Sequence, residues 1–296
     1  MFLVKLGGSY ITYKDLESKI DPSEDERRRT YSVKRYLLDG CAKVLRGHVS
    51  QGLMIVHGGG THGHRTVRRW KNGVAKGRDS MMPWEVRYRM DQLTAEVLSS
   101  LGKGGVPVYP VSSTDIMESV SGSITKMDSS PLNRLLDRGM VPLLRGDLVP
   151  DTITGGWSVV SGDDLMVRLS ELSRMSEVPR IERAILLMDV EGFFREGPLR
   201  PDTLLRSIDK ENFHSSYIEW ENGSRAPEQD MTGGMLKKLR SAHAIAGNGV
   251  TVNMIGGPPS KLEGILAGED IGTTFPPFNG NDDCRSGICQ GRGTSS

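Results

Sequence analysis

The sequence predicts an α/β protein, a three-layer α/β/α sandwich around a mainly parallel sheet. Three observations predict it. Short apolar runs of strand length alternate with longer stretches at helical spacing. Apolar runs end in glycine-rich turns, the pattern of strands that deliver loops to one edge of a parallel sheet. The 296 residues suit one large domain, or two lobes sharing one sheet.

The elements follow in order. Phe2 to Leu6 reads as a strand interrupted by Lys5, and Gly7-Gly8-Ser9 is its turn. Asp25 to Leu45 reads as a helix, with Val33, Tyr36, Leu37, Cys41, Val44 and Leu45 near helical spacing. Leu53 to Val56 is a β run that breaks into His57-Gly58-Gly59-Gly60. Pro83 starts a second helix that ends near Gly102. Val106 to Val111 is a strand, Ser130 to Arg138 a short helix capped by Gly139, and Val141 to Leu144 a strand that leads into Gly146-Asp147.

The second half repeats the style. Asp163 to Ser173 is helical, Ala184 to Met188 is a strand before Asp189-Val190-Glu191-Gly192, and Gly233 to Ala246 is a helix opened by two glycines. Val250 to Ile255 is a strand into Gly256-Gly257. Residues from about 195 to 229 are polar and read as a loop region or lid. A weak linker at Ser176 to Pro179 divides residues 1–175 from 176–279, and the polar stretch 280–296 is expected to be a disordered tail.

Composition excludes several classes. Lysine plus arginine is 38 and aspartate plus glutamate 37, so the formal charge of +1 gives no global field favouring nucleic acid or membrane. No apolar run approaches the roughly 20 residues of a membrane span. Met1 opens directly into a strand rather than a leader, so cytoplasm is the expected compartment. Three cysteines make no disulfide framework. Cys41 reads as a small core residue, and Cys284 and Cys289 lack the further ligands of a metal site.

Four glycine-rich turns that follow apolar strands point to phosphate chemistry, because glycine lets backbone N–H groups approach an anion closely. Neither a P-loop nor a dinucleotide G-x-G-x-x-G signature is present. Lys5 sits inside an apolar strand, which is costly unless its ammonium reaches a partner at the strand end; a solvated edge-strand lysine is the alternative. Lys14, further along the same loop, is a second candidate cation. His57, His62 and His64 crowd one segment and raise a zinc reading, but no carboxylate or cysteine completes a usual ligand set. Gly58 to Gly60 suit an anion better than a metal. The basic run Arg65, Arg68, Arg69 and Lys71 reads as a solvated helix face.

Lys5 to Ser9, Val56 to His64, Ser161-Gly162-Asp163-Asp164, Met188 to Gly192 and Asp230-Met231-Thr232-Gly233-Gly234-Met235 with Lys238 occur in the order seen in isopentenyl phosphate kinases. The chain resembles that family, within the amino-acid-kinase superfamily, over residues 1 to about 275. The triple glycine followed by two residues and Gly63-His64 is shared with fosfomycin kinases, which phosphorylate a phosphonate. His57, the Ser-Gly-Asp-Asp run and Gly234 are closer to the isopentenyl phosphate kinases. His62 stands where the family usually has an aromatic residue, Met188 where it has threonine and Glu191 where it has aspartate.

The resemblance implies the amino-acid-kinase fold and transfer from ATP, with Mg2+, to a small-molecule phosphate acceptor. Lys5, Gly7, Gly8 and Ser9 would contact the ATP phosphates, and Lys14 would stabilise the moving phosphoryl group. Gly59 and Gly60 would lie between donor and acceptor phosphates. His64 would hydrogen-bond the acceptor phosphate, with Gly58, Gly146 and Gly162 on the acceptor side. Asp163 would hold the lysines, Asp189 would sit by the nucleotide, and Gly234 and Lys238 would bind its phosphates. The acceptor would occupy the N-terminal half and ATP the C-terminal half. A homodimer is implied by the resemblance alone.

Overall fold

The computed structural model describes residues 1–13, 32–71, 81–196, 200–223 and 231–279. The chain opens with β1 (Phe2–Leu6), α1 (Gly8–Ile11), α2 (Arg35–Arg46), β2 (Leu53–His57) and α3 (Gly60–Lys71). It continues through α4 (Met82–Lys103), β3 (Val108–Pro110), α5 (Ser113–Ile116), β4 (Met117–Val120), β5 (Ser123–Met127) and α6 (Ser130–Leu136). Then come β6 (Val141–Arg145), β7 (Asp147–Pro150), β8 (Trp157–Val160), α7 (Gly162–Arg174) and β9 (Arg183–Met188). The last elements are α8 (Phe213–Gly223), α9 (Met231–Gly247), β10 (Thr251–Gly256), α10 (Ser260–Leu266) and β11 (Thr273–Phe275).

Seven strands form one sheet in the order β11-β10-β9-β1-β2-β6-β3, parallel except for β11. Every residue of β1, β2 and β6 is buried, as expected of parallel strands covered on both faces. Alternate side chains feed two cores. Leu3, Met54, Val56 and Leu144 pack with Leu165 and Leu169 of α7 and Leu239 and Ala242 of α9. Val4, Leu6, Ile55 and Leu143 pack with Leu38 and Cys41 of α2, Leu93 and Val97 of α4, and Leu262 of α10. These two cores are the interfaces of the three layers.

The N-terminal strand lies in mid-sheet. β1 pairs with β2 on one side and β9 on the other, so residues before and after 176 share one continuous sheet. Lys5 is therefore not an edge-strand lysine, and the solvated alternative falls.

Tertiary contacts override local pattern at several places. Within the described part of the helix expected over Asp25 to Leu45, residues 32–34 are not helical and α2 begins at Arg35. Val33 instead forms an antiparallel bridge with Thr12, and Lys34 N donates to Ile11 O at 2.7 Å. The expected loop around 195–229 contains α8, whose Phe213 and Tyr217 pack against the first core. Asp209 and Asn212 exchange hydrogen bonds of 2.8 and 3.0 Å just before it. The strand expected at Val106–Val111 shrinks to Val108–Pro110, while α10 and the short β11 have no counterpart in the sequence reading.

Two hairpins, β4–β5 and β7–β8, were also not expected. Asp151 joins them. Its Oδ2 accepts from Ser121 N at 2.6 Å and Ser158 Oγ at 2.8 Å, and its Oδ1 from Ile153 N and Thr154 N at 3.1 and 2.9 Å. These donors hold the Asp151 carboxyl well below the usual carboxylate range, with the Thr154 and Ser121 amides contributing most. No helix among the described residues is long and apolar enough to cross a membrane. The tail 280–296, with Cys284 and Cys289, lies outside the described residues; Cys41 is a buried free thiol.

Candidate active site

The parallel strands bring β1, β2, β6 and β9 to a common carboxyl edge, and the site forms there. Lys5, next to last in β1, places Nζ 2.5 Å from Oδ1 of Asp163 in the first turn of α7. Both side chains are nearly removed from solvent. Burial pushes the Lys5 ammonium down, and Lys238 adds to that, while Asp163 opposes both. Burial pushes the Asp163 carboxyl up, but Lys5 and Lys238 outweigh it and hold the carboxyl below its ordinary value. Two cations thus keep one carboxylate ionised.

The glycine turns meet above this pair. A Cβ on Gly8 would lie 2.1 Å from Gly60 N, and one on Gly58 would lie 2.6 Å from Gly8 N. Gly58 N donates to Leu6 O at 2.9 Å, and Gly7 N to Leu187 O at 2.9 Å, so the turns are stitched across the strand ends. Gly60 opens α3 with φ +49°, a conformation that favours glycine. Gly146 and Gly162 form a second close approach, since a Cβ on Gly146 would lie 2.8 Å from Gly162 N. Gly162 faces Lys5, whose Cε would be 3.1 Å from an added Cβ.

The other side of the site is built by β9 and α9. Ser9 Oγ donates to Asp189 Oδ1 at 3.0 Å, just beyond β9. Gly234 and Lys238 lie one turn apart on α9, with Lys238 Nζ donating to Gly234 O at 3.3 Å. Lys237 Nζ reaches Asp164 Oδ2 at 2.8 Å and ties α9 to α7. Asp164 in turn completes a capping box with Ser161, which fixes the start of α7 and so the position of Asp163.

Most residues singled out in the sequence therefore converge. Lys5 near the end of β1, Gly7, Gly8, Ser9, Gly58, Gly59, Gly60, Gly146, Gly162, Asp163 and Asp189 on turns or helix starts, and Gly234 and Lys238 in the first half of α9 all lie in this region. His64 lies one turn into α3 and is exposed, whereas His62 is buried. Lys14 lies outside the described residues, as do Asp230 and the part of the expected helix before Ser32.

Sequence reasoning missed a charged network beside the glycine turn, buried at Arg145 and Asp147 and reaching the surface at Asp91 and Arg87. Arg145, the last residue of β6, donates from Nε to Asp147 Oδ2 at 2.9 Å, and its Nη2 is 2.7 Å from Asp91 Oδ1. Arg87 joins Asp147 at 3.3 Å. The available signal was the one used for Lys5, a cation at the end of an apolar strand before a glycine. Lys34, which donates to Ser9 O at 3.1 Å, had no such signal.

These residues fit a polyphosphate. Backbone amides of three glycine turns lie where any side chain would intrude, Lys5 lies against Gly162, and Lys5 and Lys238 both act on the Asp163 carboxylate. Among the described residues no group of three His, Cys, Asp or Glu side chains could hold a metal ion.

The fold and this glycine-rich site at the carboxyl edge of the sheet are those of a phosphotransferase-type α/β protein, and the chain belongs to the amino acid kinase family, matching it over residues 1–256. It is similar to the isopentenyl phosphate kinase of Methanothermobacter thermautotrophicus, 29% identical over 92% of this chain and 97% of that one. The enzyme of the same name from Thermoplasma acidophilum is 30% identical over 93% and 100%. An X-ray structure of an isopentenyl phosphate kinase superposes with a TM-score of 0.71 at 27% identity, covering 93% of this chain and 99% of that one.

Proposed function

We propose that this protein is an ATP-dependent kinase that converts isopentenyl phosphate to isopentenyl diphosphate. The observation that carries the reading is the buried Lys5–Asp163 pair beneath the meeting point of the Gly7–Gly8 and Gly58–Gly60 turns. Relatives of that name align over nearly the whole chain.

Transfer between two phosphates demands charge neutralisation and in-line placement more than covalent help. The acceptor is ionised near neutral pH, so no general base is required. The γ-phosphoryl group of ATP passes to an acceptor phosphate oxygen, and ADP leaves. Lys5 offsets charge on the donor phosphates, with Asp163 fixing its ammonium. Gly8, Gly59 and Gly60 donate backbone N–H groups between donor and acceptor. His64 donates to the acceptor phosphate, with Gly58, Gly146 and Gly162 shaping that side, and Lys14 supplies a further cation to the moving group. Ser9, Asp189, Gly234 and Lys238 serve the nucleotide. When bound with ATP, Mg2+ would supply additional charge neutralisation to the transferring phosphates beside Lys5 and Lys238.

The acceptor's apolar part would lie against an apolar cluster next to the glycine turn. Val86, Met90 and Leu148, with Val67 and Met82, form a separate apolar cluster, and Met90 Sδ lies 3.3 Å from an added Cβ on Gly59. In this reading residues 1–175 bind the acceptor and 176–279 the nucleotide, and the protein acts in the cytoplasm as a homodimer. The triple glycine with Gly63-His64, which is shared with fosfomycin kinases, supports one alternative, a phosphonate acceptor of the fosfomycin type. A coupled ADP-release assay with isopentenyl phosphate, dimethylallyl phosphate and fosfomycin decides between them. Turnover of the first two well above fosfomycin is expected; fosfomycin as the best acceptor, or no acceptor-dependent turnover, would overturn the proposal.

A further inference from the structure

His57 ends β2 immediately before the glycine turn, and its ring is fully buried. Its Nε2 lies 3.0 Å from Thr94 Oγ1, and its Nδ1 lies 3.2 Å from Gly58 O. Thr94 Oγ1 also lies 2.7 Å from Arg145 Nη1 and 2.8 Å from Met90 O. Hydrogen positions follow from what each group is able to do. A guanidinium only donates, so Thr94 Oγ1 accepts from Arg145. A carbonyl only accepts, so Gly58 O needs a proton on Nδ1.

The hydroxyl proton of Thr94 has two candidate acceptors, Met90 O and His57 Nε2. Met90 lies in mid-helix, where the backbone ladder already serves its carbonyl. Sending the proton to Met90 O would force Nε2–H on the imidazole and leave the lone pair of Nδ1 facing the Gly58 oxygen in a dry interior. Sending it to Nε2 satisfies every group. A doubly protonated ring would satisfy the ring contacts as well, but burial, with Arg145 and His62 nearby, pushes the imidazole down to about 3.

We propose that His57 is a positioning residue: a donor chain from Arg145 through Thr94 fixes its Nδ1–H form, which holds the Gly58–Gly59 peptide so that Gly59 N–H faces the phosphates. The amide plane makes the geometry definite. In a trans peptide the Gly59 N–H points opposite to the Gly58 carbonyl. Gripping the carbonyl from the protein side therefore turns the N–H outward, and the bond polarises the amide it grips. Gly58 N, in the preceding peptide, is anchored separately on Leu6 O, so the chain is held just before the gripped amide. Asp91 and Asp147 flank the guanidinium that sets the direction of the chain.

The catalytic consequence rests on the kinase reading above; the tautomer does not. The experiment therefore has two arms on the full chain. Long-range proton–nitrogen NMR of histidine-labelled protein, without ligand, reads the tautomer. His57 is expected as neutral Nδ1–H, without titration from pH 5.5 to 8. An Nε2–H or doubly protonated ring overturns the proposal whatever the enzyme turns over. The second arm compares His57→Asn, whose amide nitrogen replaces Nδ1, with His57→Gln, whose amide replaces Nε2. With isopentenyl phosphate and ATP, Asn is expected to keep kcat within about threefold and Gln to lose about tenfold or more, with the KM for ATP little changed in both. Equal kcat in two variants of equal stability, or Gln the better, overturns the positioning role. Absence of turnover in the wild type defeats the kinase reading and leaves the NMR result to decide the tautomer.

Discussion

Lys5 Nζ and Asp163 Oδ1 lie 2.5 Å apart although one belongs to the first strand and the other to a helix that begins some 160 residues later. The pair joins the strand that carries one glycine turn to the helix that approaches another, so stability and activity should part on mutation. Lys5→Met leaves an ionised carboxylate buried and is expected to destabilise by about 3–5 kcal/mol and abolish turnover. Lys5→Met with Asp163→Leu should recover much of that stability and none of the activity. Urea denaturation and the coupled assay measure the two effects, and a double variant no more stable than the single would count against the electrostatic account.

The glycine contacts call for opposite outcomes at two sites. Gly8→Ala would set a Cβ against the Gly60 backbone, where no flexible side chain is able to yield. A displacement of even 1 Å at the transfer site is expected to lower kcat by about 100-fold. Among the described residues, Gly234→Ala meets nothing nearer than Lys238 Nζ at 3.9 Å and replaces a helical glycine. Melting temperature should hold or rise there, with any loss confined to the KM for ATP.

His64 is exposed on α3, as a side chain that meets an incoming acceptor must be. A charge-assisted hydrogen bond contributes about 1.5–3 kcal/mol. His64→Ala is expected to lower kcat/KM for isopentenyl phosphate by tenfold or more while leaving the KM for ATP nearly unchanged. His64→Gln retains a donor and should keep part of the activity. A lower melting temperature with unaltered turnover would instead mark His64 as structural.

Two histidines make the fold sensitive to acid. Burial, then Arg145 and His62, lowers His57 to about 3, and burial with Arg89 lowers His62 to about 4, both from 6.5. The folded state resists protons that the unfolded chain accepts, so this stability is complete above pH 6.5 and is lost as pH falls toward 3 to 4. Between pH 7 and pH 5 each histidine should remove about 2 kcal/mol. His62→Phe is expected to lose about half of that pH dependence, which denaturant titrations at the two pH values would show.

Chelation should stop the reaction, and magnesium alone should restore it fully. No described cluster of side chains suits zinc. Activity regained only with zinc would contradict this.

The alternation of apolar runs and helical stretches was enough to give the three layers, because parallel strands buried on both faces must be apolar throughout and must be joined by covering helices. Lys5 and Gly58 to Gly60 were legible for a related reason, whereas Gly162 and Asp163 entered only through the family resemblance. A lysine in a core strand and glycines at strand ends violate local preference, and such violations concentrate where function requires them. What covers a segment is not written in its own spacing. Val33 continues a helical pattern yet pairs with Thr12, and Phe213 and Tyr217 sit in a polar stretch yet fold onto the core as α8. Only the tertiary structure could bring Arg145 to Thr94, and Thr94 to His57, because those contacts join the ends of two strands to the middle of a helix. The sequence by itself determined the layers and the glycine-rich turns at the strand ends through composition and period; partner choice among buried polar groups was decided by distance and direction, which exist only once the sheet has formed.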